Sequence, residues 1–234
     1  MRFPHTALQE QTEGILRAWG LLADHAGIAA TAIGYADLAG IDSHGVSMLP
    51  TYEALLEAGK LAPQARPTTV RQTAVTALLD AGGGLGHPAG DAGMRLAVDK
   101  AATHGVAVVS VRNSRHFGAA GYYAALAAER GLIGLVTTTA RSVCVTPTRG
   151  RTPRLPTNPL AFAAPAGRNR PYLLDMSTST VAVNKVKVHG YTDQRLPGAW
   201  VRDASGAPVH DPHQAMRVIR TPGEGGLTPL GGTP

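Results

Sequence analysis

Residues 91–111, DAGMRLAVDKAATHGVAVVSV, decide the fold class of this chain. Apolar residues recur at helical spacing between Asp91 and Thr103 and predict a helix there. The continuous apolar run Val106–Val111 predicts a strand buried on both faces. Outward from this stretch the alternation continues, with a strand over Val70–Asp80, a helix over Gly121–Arg130 and a buried strand over Leu132–Thr138. Alternating helices and buried strands predict an α/β fold, of the mixed α+β kind.

The flanking segments differ from this core in composition and in the spacing of apolar residues. Residues 6–40 carry apolar side chains at helical spacing, while prolines interrupt the chain beyond residue 140, and Gly and Pro dominate residues 221–234. A segment rich in Gly and Pro without periodic apolar residues is typical of flexible chain. We therefore predict an N-terminal helical segment over residues 1–65, an α/β core over residues 66–220 and a flexible tail over residues 221–234.

Composition excludes several classes of protein. The formal charge is +6, but the basic residues are scattered, whereas nucleic-acid binding proteins usually cluster them on one face. No apolar run reaches the roughly 20 residues that a transmembrane helix needs, and the N-terminus predicts no signal peptide. Cys144 is the only cysteine, which fits a reducing cytoplasm. We expect a cytoplasmic protein that binds neither nucleic acid nor membrane.

Two histidines lie in glycine-bounded turns, Gly40-Ile41-Asp42-Ser43-His44-Gly45-Val46 and Asn113-Ser114-Arg115-His116-Phe117-Gly118. Ser43 can position His44, and Asn113 or Ser114 can orient His116. A neutral imidazole beside such groups is the usual general acid or base of a dehydrogenase, so the turns predict two walls of one catalytic site. The alternative is that each histidine only satisfies its own turn.

The remaining histidines lack such surroundings. His5, His25, His87, His104 and His189 are assigned structural roles. His210 and His213 stand close together but lack a convincing further ligand set, so no metal is expected.

A glycine-rich turn and a hydroxyl-rich segment suggest dinucleotide contacts. Gly84-x-Gly86-x-x-Ala89 follows a predicted strand and opens a predicted helix, as a Rossmann fingerprint does, but the acidic residue expected about 20 positions later is absent. A Rossmann-type NADP site that uses Gly84, Gly86 and Arg112 is one alternative. Asp175-Met176-Ser177-Thr178-Ser179 places a carboxylate and hydroxyls before a predicted helix over Ser177–Val188, which suits ribose and phosphate oxygens, although ordinary helix capping explains it equally well.

An ordered set of motifs over residues 8–216 resembles the malate/L-lactate dehydrogenase family that lacks a Rossmann fold. The set comprises Ala36-Asp37-Leu38, Gly40–Val46, Leu49-Pro50 with Tyr52, Asp80 with Gly84-Leu85-Gly86, Asn113–Gly118, Thr157–Phe162, Asp175–Ser179 with Lys185, and Leu196-Pro197 with Trp200.

The resemblance implies an NAD(P)-dependent oxidoreductase that acts between 2-hydroxy and 2-oxo acids, or on a related cyclic imine, and that works as a homodimer with its own nicotinamide-binding topology. It implies that His116 donates or accepts the proton and that Ser43, His44 and Tyr52 line the same site. It assigns the NAD or NADP site to His44, Thr139, Asp175, Met176, Ser177 and Lys185, and the substrate site to Asn113, Arg115 and residue 48.

Residue 48 is the first departure from the family pattern. The family has an arginine there, and this chain has Met48. A guanidinium can hold a substrate carboxylate with two hydrogen bonds, and methionine cannot. Another base such as Arg112, Arg115 or Arg141 replaces it, or the substrate lacks that carboxylate, or activity is lost.

The C-terminus is the second departure. Family chains continue well beyond a Pro-Leu-Gly-Gly turn, whereas this chain stops just after Pro229-Leu230-Gly231-Gly232. We therefore expect a shortened chain whose fold is incomplete at the C-terminus. The alternative function is a catalytically inactive remnant that binds a partner or has no function.

Overall fold

The computed structural model describes residues 3–231. Within them the helices are α1 (His5–Ala18), α2 (Ala23–Leu38), α3 (Leu49–Glu57), α4 (Gly86–His104), α5 (Ala120–Ala128), α6 (Val183–Tyr191) and α7 (Pro212–Arg220), with a 3-10 turn at Val46–Met48. The strands are β1 (Thr68–Gln72), β2 (Thr76–Asp80), β3 (Val108–Arg112), β4 (Gly134–Thr137), β5 (Leu160–Ala164), β6 (Tyr172–Met176), β7 (Val201–Asp203) and β8 (Gly225–Leu227). The predicted α/β class is confirmed.

The chain divides into two compact units. The first holds the residues up to Leu135 together with Phe162–Leu173, and the second holds Val136–Ala161 together with the residues from Leu174 onward. Strands β4, β5 and β6 form a three-stranded sheet in that order. The domain boundaries predicted at residues 65 and 220 stay predictions.

The first unit packs its helices around an apolar cluster. Leu16 of α1 and Ile33 of α2 are fully buried there, together with Met48 and Tyr52. Burial of such side chains contributes about 1.5–3 kcal/mol each to folding. Because Tyr52 belongs to this cluster, the core fixes the position of its phenol ring.

A three-stranded sheet completes the first unit. β1 pairs antiparallel with β2, and β2 pairs parallel with β3 after the α4 crossover. Helix α4 covers the face that carries Val109 and Val111, since a Cβ at Gly93 would touch both side chains.

Strand β3 is not buried on both faces. Val108, which points to the opposite face, is 61% exposed, and β3 is the last strand of its sheet. The predicted strand is present as β3, but its predicted burial on both faces is wrong. An apolar run reports the composition of a strand and not its place in the sheet. The strand predicted over Leu132–Thr138 is likewise only partly covered, with Leu135 62% exposed.

The second unit has its own apolar cluster between α6, α7 and a two-stranded sheet. Val201 of β7 pairs with Leu227 of β8, and both side chains are fully buried with Val186. The flexible tail predicted over residues 221–234 is therefore wrong for Gly225–Leu227. Its glycines mark places where a strand lies close to neighbouring backbone, because a Cβ at Gly225 would overlap the carbonyl of Arg202. Residues 232–234 of that prediction lie outside the described residues.

Among residues 3–231, no helix is long and apolar enough to cross a membrane. The same residues contain no group of three or more His, Cys, Asp or Glu side chains placed to hold a metal ion. His213 instead pairs with Asp193, with 3.1 Å between Nε2 and Oδ1.

Candidate active site

The turn that carries His44 is held by Asp37 of α2. The carboxylate of Asp37 accepts a hydrogen bond from the Val46 N–H at 3.0 Å. It lies so close to Gly45 that any Cβ at residue 45 would overlap it. Burial raises the pKa of Asp37, and the Val46 hydrogen bond opposes part of that shift. The turn therefore requires glycine at residue 45, and it places Ser43 Oγ 2.8 Å from His44 Nδ1.

The loop that carries His116 is seated on the glycine-rich turn before α4. The Gly86 N–H donates to the His116 carbonyl, and the Arg115 N–H donates to the Gly84 carbonyl, each at 3.0 Å. A Cβ at Gly86 would lie 2.7 Å from the His116 oxygen. These two glycines therefore place the His116 loop, which gives the Gly84-x-Gly86 motif a structural role other than that of a Rossmann phosphate turn.

Asn113 and Ser114 do not bond to His116 as the sequence suggested. The Asn113 side chain donates to Asp80 Oδ1 at 3.1 Å, and the Ser114 hydroxyl donates to the Arg115 carbonyl at 3.0 Å. Asp80 also accepts from Arg112 Nε at 2.9 Å. The hydrogen bond from the Gly82 N–H, followed by those from Asn113 and Arg112, lowers the pKa of Asp80. Asp80 therefore anchors the end of β3.

Tyr52 and Gly118 are the groups that hold His116. The Tyr52 hydroxyl lies 2.7 Å from His116 Nδ1, and the Gly118 N–H donates to the same nitrogen at 3.3 Å. Because a backbone N–H can only donate, Nδ1 must accept, and the tautomer that satisfies both contacts carries its proton on Nε2. Burial raises the pKa of Tyr52, so the phenol stays protonated.

His44 and His116, from distant parts of the sequence, come together. Their rings stack at 5.4 Å between centroids with an angle of 26° between planes. Burial, and secondly the nearby His44, lowers the pKa of His116 to about 3. The structure thus places Ser43, His44, Tyr52 and His116 in one cluster, with His116 neutral near pH 7.

His87 belongs to this cluster, and the sequence reasoning missed it. The residue is fully buried on the first turn of α4, and its ring lies edge-on to Tyr52, 5.7 Å away at 80°. Burial, followed by the charges of His116 and His44, lowers the pKa of His87 to about 3. Its only sequence signal is its place directly after Gly86.

Apart from His44, which belongs to the first unit, the residues assigned to the nucleotide lie in the second unit. Thr139 follows β4 and is exposed, Asp175 and Met176 end β6, and Lys185 lies on α6. Helix α6 begins at Val183 and not at Ser177, so the hydroxyls do not cap it. The Ser177 hydroxyl instead donates to the Ser179 carbonyl at 3.0 Å.

Comparison with known proteins identifies the family of the chain. A family model described as malate/L-lactate dehydrogenase matches residues 3–233. The chain belongs to the malate/L-lactate dehydrogenase family. The resemblance seen in the motifs is therefore confirmed.

Individual members of the family match along nearly the whole chain. Malate dehydrogenase of Pyrococcus abyssi is 37% identical over 99% of this chain. The Delta(1)-pyrroline-2-carboxylate/Delta(1)-piperideine-2-carboxylate reductase of Pseudomonas putida is 36% identical over 99% of it. The crystal structure of malate dehydrogenase from Entamoeba histolytica superposes with a TM-score of 0.95 at 34% identity, over 100% of this chain and 64% of that one. The present chain covers 62% of the length of the Pyrococcus protein and 66% of the length of the Pseudomonas protein.

Proposed function

We propose that this chain is an NAD(P)-dependent oxidoreductase that transfers hydride between a nicotinamide and a 2-hydroxy or 2-oxo acid, or a related cyclic imine. The observation that carries the proposal is the buried His116, whose Nδ1 is bonded by Tyr52 and Gly118 so that Nε2 carries the exchangeable proton. The names of the relatives support both substrate classes, since they include malate dehydrogenases and a cyclic imine reductase.

His116 can exchange that proton because Tyr52 accommodates both protonation states of the ring. When His116 is neutral, the phenol donates to Nδ1. When His116 is protonated, its Nδ1–H donates to the phenol oxygen, the 3.3 Å contact with the Gly118 N–H is given up, and Nε2–H is an acid for the substrate oxygen or nitrogen. After the transfer the ring is neutral with its remaining proton on Nδ1, and proton exchange with solvent restores the tautomer of the empty site. Because the pKa of His116 is low in the empty site, a carboxylate bound nearby would raise it toward the ordinary range. Substrate binding is therefore coupled to proton uptake.

Arg115 is our candidate for the substrate carboxylate. Met48 is buried in the apolar cluster and carries no charge. Arg112 is already paired with Asp80. By contrast, Arg115 Nε is buried with no hydrogen-bond partner among the described residues. An unsatisfied buried donor costs about 1–3 kcal/mol, and a bound carboxylate would remove that cost.

The second unit carries hydrogen-bonding and charged side chains of the kinds that bind a dinucleotide. Thr139 and Ser177 carry hydroxyls, Asp175 a carboxylate that can accept from ribose, and Lys185 an ammonium that attracts phosphate. A bound nicotinamide would supply or accept the hydride. We assign these residues, with Met176 and His44, to the cofactor, which is NAD or NADP.

We also propose a cytoplasmic homodimer. The family resemblance supports the dimer, and the single, buried Cys144 fits a reducing compartment. Sedimentation equilibrium of the purified chain tests the oligomeric state.

The test of function is cofactor binding followed by turnover. Fluorescence titration of the purified chain with NADH and NADPH should give saturable binding, and oxo acids and cyclic imines should then be reduced. His116→Asn should keep cofactor binding and lose turnover, while Arg115→Met should mainly raise KM for the acid. Saturable binding without turnover of any acid or imine would favour the inactive alternative. No binding by a folded sample would refute the proposal.

A further inference from the structure

His87 is a buried polar ring without a polar partner. It is fully buried, and neither Nδ1 nor Nε2 has a hydrogen-bond partner among residues 3–231. Leaving such groups unsatisfied costs about 1–3 kcal/mol each, so a histidine here requires an explanation. An apolar side chain on α4 would fill the same space without that cost.

The contacts of His87 supply the explanation. Its ring lies edge-on against Tyr52, with 5.7 Å between centroids. On another side it lies against the Cα of Gly118, because a Cβ there would come within 2.8 Å of His87 Nε2. Tyr52 and Gly118 are the same two residues that hydrogen-bond to Nδ1 of His116. His87 thus touches both groups that hold the proposed acid.

We propose that His87 is a positioning residue that keeps the Tyr52 hydroxyl and the Gly118 N–H on Nδ1 of His116 and so fixes the proton of His116 on Nε2. The catalytic consequence rests on the proposed function, but the effect on the tautomer does not. His87 forms no hydrogen bond to either group, so it acts by packing and relays no proton. Its low pKa keeps the ring uncharged beside His44 and His116, so it adds no repulsion when His116 is protonated.

The experiment reads the tautomer of His116 directly. In the whole chain labelled with 15N on histidine, the ring shifts of His116, assigned by their loss in His116→Asn, should report an unprotonated Nδ1. His87→Ala should convert this signal to a mixture of tautomers, because a cavity frees Tyr52 and Gly118. His87→Phe should retain the wild-type signal, because it keeps a flat ring in contact with both. Val98→Ala, a buried substitution on the same helix, is the matched control and should leave the signal unchanged.

Turnover provides the second readout. If His116 acts as proposed, His87→Ala should lower kcat about tenfold to a hundredfold with little change in KM, because misplacing a reacting group by an ångström has effects of that size. A folded His87→Ala protein with the wild-type His116 tautomer would overturn the inference. If His87→Ala does not fold, the inference would be overturned equally by a folded His87→Phe protein in which His116 no longer shows the signal of an unprotonated Nδ1. If His87→Ala alters the tautomer of His116 but neither the parent chain nor the variant turns over any substrate, the positioning role is supported and the proposed function is contradicted.

Discussion

Acid should destabilise the first unit through two deeply buried histidines, His87 and His116. The pKa values of His87 and His116 are about 3 in the folded chain, against about 6.5 for an unfolded histidine. Below pH 6.5 the unfolded state therefore binds more protons than the folded state, and stability falls as the pH falls toward 3. Lowering the pH from about 7.5 to about 5 should cost about 2 kcal/mol for each histidine. The total, about 4 kcal/mol, is a large share of a typical stability of 5–15 kcal/mol.

His87→Phe isolates half of this effect. The variant has one fewer buried histidine, so its loss of stability over the same pH range should be about 2 kcal/mol smaller than that of the parent. The assay is urea unfolding followed by fluorescence in a Trp200→Phe background, in which Trp19 is the only tryptophan and reports on the first unit. Val98→Ala should be less stable at both pH values but should keep the full pH dependence. An equal pH dependence in His87→Phe and its parent would refute the reasoning.

Three further outcomes are expected. Tyr52→Phe removes the hydroxyl on His116 Nδ1 and should lower kcat about tenfold to a hundredfold while changing the free energy of unfolding by only about 1 kcal/mol; unchanged turnover would exclude Tyr52 from the mechanism. Gly45→Ala brings a methyl group into the Asp37 carboxylate and should destabilise the chain by about 1–3 kcal/mol, and adding Asp37→Ala should recover part of the loss in thermal unfolding. Leu227→Ala should cost about 2–5 kcal/mol, measured by the fluorescence of Trp200 in the second unit; a cost below 1 kcal/mol would mean that β8 is not part of the core.

Local sequence was sufficient for α4, α5 and the pairing of the two histidine turns, but it did not predict α7. The helix predicted over Asp91–Thr103 is the larger part of α4, whose start the sequence reasoning placed too late. Pro88 is tolerated in the first turn, where its missing N–H has no helical partner. The glycines and short polar residues of both turns were the sequence signal from which the contact between His44 and His116 was predicted.

The misassigned parts depend on contacts between distant residues. The exposure of Val108 follows from the position of β3 at the end of its sheet, which no local pattern encodes. The strand at Gly225–Leu227 is ordered by pairing with β7, while its composition is that of flexible chain. His87 acquires its surroundings from Tyr52 and Gly118, residues that lie far from it in sequence.

The open edge of β3 has a consequence for handling the protein. Its outer backbone groups lie at the end of the sheet order, and Val106 and Val108 are more than half exposed beside them. Proteins usually protect such an edge with charged side chains, proline or a bulge, because an unprotected edge can pair with a strand from another molecule. Concentrated solutions should therefore self-associate through this strand, and Val108→Lys should slow that process without altering the histidine cluster.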